Sequence, residues 1–211
     1  MSTRMFSAVI TVLGCFAAHA QDTGLRWSLF TNATQNIDFS HAKLNLGVEA
    51  ERAGSAVYLS VGAYYNNPWS QLFARGSAVE IGYRFHFAGE WDLTLGTSLG
   101  HVTYDAHGGY PDSTFAEAGD TAYVELYRIE KTLFDLHASV SRVCPIGSRI
   151  WLRPFMGLGF RYKWTDQPGR SVPFHPEYGP DMNMAMFRDQ PGERGVPTIR
   201  CGVLIGFRLG R

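Results

Sequence analysis

Cysteine, long apolar runs and net charge are all scarce in this chain, and each scarcity excludes something. Three cysteines in 211 residues are too few for a disulfide framework to stand in for a core. Past residue 20 no segment approaches the ~20 consecutive apolar residues of a spanning helix. Lys and Arg number 19, as do Asp and Glu, so the surplus of basic charge that phosphate backbones require is missing. Glycine and aromatic residues, by contrast, are plentiful: 23 glycines, with Phe, Trp and Tyr making up 14% of the chain. That pairing suits a turn-rich all-β protein in which glycine makes room for large neighbours. The length fits one domain with a core of its own.

The first twenty residues read as an export leader. Arg4 precedes an apolar run from Met5 to Ala18, and Ala18-His19-Ala20 forms an A-x-A cleavage site before Gln21. Val12-Leu13-Gly14-Cys15 is an alternative, a lipoprotein-type site with Cys15 as the acylated residue. Either reading sends the chain out of the cytoplasm, and residues 21–211 form its one folded domain. The remaining cysteines, Cys144 and Cys201, are expected to be free thiols, because one falls at a turn and the other about eight residues up a strand from that end.

From residue 25 onward the sequence alternates with the period of two that strands require. Eight runs stand out: 25–33, 43–51, 56–65, 77–87, 91–104, 134–142, 150–162 and the closing Thr198 to Arg211. In the last, Ile199, Cys201, Val203, Ile205, Phe207 and Leu209 share one face, and Arg200, Gly202, Gly206, Arg208 and Gly210 lie on the other. In the sixth, Arg128 and Glu130 fall on the apolar parity upstream of Phe134, which a bulge or an extension beyond the apolar zone would explain. Connections alternate in length. Tight turns lie around Ala53-Gly54, Ala88-Gly89 and Pro145 to Ser148, and longer loops span 34–42, 66–76, 105–122 and 165–197.

Alternation alone does not say whether the oily face meets lipid or an internal ligand, as in a lipocalin. Aromatic residues at both ends of the oily face favour lipid: Phe85, Phe87, Trp91 and Phe207 towards the turns, and Tyr65, Phe160, Tyr162 and Trp164 towards the loops. The polar face is rich in glycine, as the inside of a narrow barrel demands. It also carries nearly balanced charges, expected to neutralise one another as a lumen network of Glu49, Glu80, Arg84, His86, Asp92, Asp135, His137, Arg153, Arg161, Arg200 and Arg208. The expected fold is therefore a closed antiparallel up-and-down transmembrane β-barrel of about eight strands, with short periplasmic turns and long extracellular loops.

On these features the region from Gln21 to Arg211 resembles the small outer-membrane β-barrels of the OmpA/OmpX-like superfamily. Its last strand is similar to the signal read by the outer-membrane assembly machinery, with Arg200, Gly202, Ile205 and Phe207 at the usual spacing. It departs from that pattern in ending Leu209-Gly210-Arg211 rather than on an aromatic residue. The resemblance implies an outer-membrane location, lipid and the assembly machinery as partners, and no cofactor. Eight strands enclose an interior filled by side chains, so an open porin-like channel is not expected. The function read from the chain is non-enzymatic, through loops that bind an extracellular or envelope partner, or through envelope integrity.

Two further patterns carry possible chemistry. His137-Ala138-Ser139 resembles the His-x-Ser element of outer-membrane lipid A deacylases, with Asp135 placed to orient the imidazole; Ser139, His137 and Asp135 would then be catalytic. These residues fall on the lumen parity, away from the bilayer, which favours a place in the polar network. Met182, Met184 and Met186, with His175 nearby, could present thioethers to Cu(I), although such a run more often packs against a partner. Asp105, His107, Asp112, Glu117 and Asp120 form an acidic patch without EF-hand spacing. No metal site is assigned to either.

Overall fold

A computed structural model of the chain describes residues 24–34, 43–65, 72–111, 122–169 and 191–209. The leader, the proposed cleavage site, the Cys15 alternative and the Met182 to Met186 run lie outside those residues. The described residues form nine strands: β1 (Arg26–Asn32), β2 (Lys43–Arg52), β3 (Ser55–Tyr64), β4 (Leu72–Ala88), β5 (Trp91–Pro111), β6 (Ala122–Arg142), β7 (Cys144–Ile146), β8 (Ile150–Asp166) and β9 (Gly192–Leu209). All pairings are antiparallel. The order β6-β5-β4-β3-β2-β1-β9-β8-β7 is closed by a further pairing of β6 with β8, so the hydrogen-bonded ladder returns on itself.

The additional strand, β7, prolongs the line of β6 past Arg142 and takes in Pro145 and Ile146, which the sequence pattern placed in a tight turn; the turn itself falls at 147–149. Ser141 faces Phe155 and Cys144 faces Leu152 in one continuous register, which sets Pro154 opposite Arg142. Proline has no N–H to offer the ladder, and the pairing is interrupted there. Eight strand positions therefore surround the ring. From Leu29 the register passes through Val48, Leu59, Ile81, Thr97, Leu136 and Phe160 to Pro197, whereas the β9 residue that faces Leu29 is Phe207. One circuit thus advances the register ten residues, a stagger that belongs with strands tilted by roughly 35–45°.

Alternation sorts the side chains as the pattern requires. Polar and small residues point into the ring: Glu49, Ser60, Arg84, Asp92, Thr94, Ser98, Ser139, Ser141 and Arg153 are buried. Apolar ones point out, with Met156 68%, Leu158 69% and Ile199 76% exposed. Five inward aromatics each face a glycine directly across the ladder: Phe30 with Gly47, Tyr58 with Gly82, Tyr64 with Gly76, Trp151 with Gly206 and Phe155 with Gly202. A Cβ at Gly206 would fall inside the indole of Trp151, and one at Gly47 inside the ring of Phe30. Glycine is there because the ring lies over it.

The strands are longer than the alternation predicts, chiefly on the loop side. β5 reaches Pro111 and β6 starts at Ala122, so the two ends of the expected 105–122 loop are strand, with residues 112–121 outside the described ones; β4 starts at Leu72, β8 ends at Asp166 and β9 begins at Gly192. The register of β5 with β6 is unbroken from Trp91 opposite Arg142 to Pro111 opposite Ala122, so no bulge underlies Arg128 and Glu130. The strand extends beyond the apolar zone and its polarity inverts. Val102, Tyr104, Ile129 and Leu133 point inward and join Tyr64 and Ala74 in a buried apolar cluster, while Arg128 and Asp105 form an exposed ion pair of 3.5 Å outside. Irregularities in register occur instead between β4 and β5, at Leu72/Arg75 and His86/Ala88.

Candidate functional site

The chemistry-bearing groups of the described residues gather inside the ring in tiers. The tier nearest the tight turns centres on Glu49, whose carboxylate pairs with Arg84 and accepts from Arg153 Nη1 at 3.0 Å. Arg84 Nε also donates to Thr94 Oγ1 at 3.2 Å. Arg153 Nε stands 3.5 Å from Asp92, which is fully buried and also pairs with His86. Both guanidinium groups lie over aromatic rings, Arg84 over Tyr58 at 5.5 Å and Arg153 over Trp151 at 4.4 Å. In this way two carboxylates and two guanidinium groups neutralise one another out of water.

The second tier centres on Glu80. Tyr58 donates its hydroxyl to Oε1 at 2.9 Å, Arg200 Nη2 donates to Oε2 at 3.0 Å, and His137 Nε2 lies 3.4 Å from Oε1. In the third, Asp135 accepts from Arg161 Nε at 2.6 Å and Nη2 at 3.3 Å, and from the Ser98 hydroxyl at 3.0 Å. Towards the loops, Lys43 lies over the Tyr64 ring at 5.8 Å and Lys131 over Tyr104 at 5.1 Å, beside the apolar cluster of β3 to β6.

Nine of the eleven expected lumen residues, Glu49, Glu80, Arg84, Asp92, Asp135, His137, Arg153, Arg161 and Arg200, meet in these tiers. His86, half exposed, and Arg208 lie at the rim, where with Glu49, Asp92 and Arg153 they border a mouth of about 300 Å³. Alternation alone did not mark Tyr58, Thr94 and Ser98 as partners, although all three lie on the inward parity. Lys131 and Lys163, both buried, fall just outside the runs 134–142 and 150–162 that the alternation marked.

The hydrolase arrangement is not assembled. Asp135, His137 and Ser139 are successive inward residues of β6, but Asp135 is held by Arg161 and Ser98, and His137 turns Nε2 to Glu80 and Tyr58. Its Nδ1 has no hydrogen-bond partner among the described residues, so Asp135 does not orient the imidazole. In the assembly-signal segment, Arg200 and Gly202 face inward, and Ile205 and Phe207 are exposed on the apolar face. Cys144 and Cys201 are free and exposed. Among the described residues no three His, Cys, Asp or Glu side chains are grouped to hold a metal ion. Asp105 of the acidic patch pairs with Arg128; Asp112, Glu117 and Asp120 lie outside the described residues.

No protein-family model and no curated protein matches the chain. Among solved structures it is similar to a major outer membrane protein from Thermus thermophilus, with 16% sequence identity, coverage of 87% of this chain and 98% of that one, and a TM-score of 0.43.

Proposed function

We propose that residues 21–211, freed of the leader, form an integral outer-membrane β-barrel that conducts nothing through its body and acts through the rim opposite the tight turns, by binding an extracellular or envelope partner or by reinforcing the envelope. One observation carries the reading: the polarity of the wall reverses along β5 and β6. From Trp91 to Leu99 apolar side chains point out over a charged interior, while Val102, Tyr104, Ile129 and Leu133 point apolar side chains in, with Lys131 buried among them. An apolar outer surface over a charged core suits lipid and is costly in water; polar outside over apolar inside suits water. The outward apolar stretch, nine residues from Trp91 to Leu99 in β5, spans roughly 23 Å once strand rise and tilt are applied, close to the ~25 Å apolar band of outer-membrane barrels.

An interior crossed by buried ion pairs supports the non-conducting part. Glu49 with Arg84 and Arg153, and Glu80 with Arg200, reach across the ring at two levels, with the apolar cluster beyond them on the side away from the tight turns. Export, lipid and the assembly machinery as partners, and a loop-borne contact follow from the same reading. The test is fractionation followed by gel electrophoresis with and without boiling. A barrel with every strand paired resists unheated SDS because no edge is open to start unfolding. The expected result is outer-membrane recovery with a heat-dependent change in mobility; a detergent-independent soluble protein with one mobility overturns the reading.

A further inference from the structure

We propose that Pro145 closes an otherwise open strand edge at the tight-turn rim and so keeps the β7–β8 hairpin from pairing with the same hairpin of a second copy of the chain. The inference rests on the backbone ladder and not on what the outer face meets. Past the closed ring, β7 pairs with β8 on one side and with no strand on the other among the described residues. β5, which covers β6, begins at Trp91 opposite Arg142, and the chain before it turns back into β4 at Ala88. Val143 to Ile146 therefore run beyond the strand that would have covered them.

Which main-chain groups face that edge follows from the neighbouring strand pair. Arg208 N donates to Arg149 O at 2.8 Å, so the odd-numbered residues of β8 bond to β9 and the even-numbered ones turn towards β7. Leu152 and Ile150 face Cys144 and Ile146, which accordingly bond to β8, while Val143 and Pro145 direct their main-chain groups to the open side. At residue 145 an incoming strand meets a pyrrolidine ring and no N–H. No charge guards the stretch: Val143, Cys144 and Ile146 are uncharged, Val143 and Ile146 are β-branched, and Ile146 is 53% exposed. Arg142, just before them, is engaged with Glu90, Nε to Oε2 at 2.9 Å. Uncharged β-branched edges of this kind recruit other strands. Two copies of the hairpin laid antiparallel are related by a two-fold axis, so each edge fits the other.

The unaltered chain and Pro145→Val, which gives the edge its N–H, would be refolded in detergent and compared by sedimentation over a range of concentrations. At high concentration Pro145→Val is expected to reach about twice the mass of the unaltered chain. Adding Val143→Pro to that variant sets a proline back on the open side of the strand and is expected to restore the original mass. Pro145→Ala, which supplies the same N–H with less bulk, takes the place of the valine variant should that not fold. Hydrogen exchange on the unaltered chain tests the edge with no substitution: the Val143 amide is expected to exchange at least about tenfold faster than those of Cys144 and Ile146. A folded Pro145 variant with the mass of the unaltered chain overturns the proposal. So does an association that Val143→Pro leaves intact, or equal protection of the three amides.

Discussion

Glu49 illustrates how a single residue can hold the interior together. Its carboxylate is 2% exposed and serves both Arg84 and Arg153, themselves buried on facing sides of the ring. Breaking a buried pair by removing one partner costs about 3–5 kcal/mol, because the charge left behind keeps its desolvation cost without its compensation. Glu49→Ala strands two such charges and is expected to lose at least that much, with Glu49→Gln milder because an acceptor remains. Urea unfolding in lipid vesicles, followed by tryptophan fluorescence, measures both. At this scale the sequence was informative: parity alone put Glu49, Arg84, Asp92 and Arg153 on one face. It could not say that Glu49 rather than Asp92 bridges the arginines, since that depends on the offset of four strands.

At the scale of elements, turns and strands make separate claims. The β2–β3 turn holds Ala53 at φ 49° and Gly54 at φ 81°, both in the left-handed region, as a two-residue type I′ turn needs. Alanine tolerates that region poorly and asparagine well, so Ala53→Asn is expected to stabilise the protein by about 0.5–1 kcal/mol, read from the same urea transition. On β8, Leu158 points outward near the middle of the apolar belt and is 69% exposed. Leu158→Arg is expected to cost about 2–4 kcal/mol where that face meets the bilayer midplane. A neutral or stabilising effect would mean that the face meets water. The tight turns were legible because their residues are local signals. The loop-side halves of β5 and β6 were not, because Val102, Tyr104, Ile129 and Leu133 reverse the polarity that identifies the rest of each strand.

For the molecule as a whole, closure is what matters. With β9 paired to β1 and β6 to β8, the ladder of the described residues closes on itself, and the interior is occupied tier by tier from the Glu49 cluster to the apolar cluster on the far side from the tight turns. Purified protein reconstituted into planar bilayers is therefore expected to give no steady open-channel conductance steps; a stable conductance of porin size would show that the tiers do not seal the ring. The sequence by itself determined the class of structure, because a period of two, glycine beside aromatics and turn residues at regular intervals leave little but an antiparallel sheet with one oily and one polar face. It also determined which residues share each face, since parity is a property of the chain alone. Only the tertiary structure decided which face turns inward, how far the strands run past the apolar belt, and which charges meet. Those depend on a ten-residue stagger accumulated across eight pairings, and no single segment of sequence contains it.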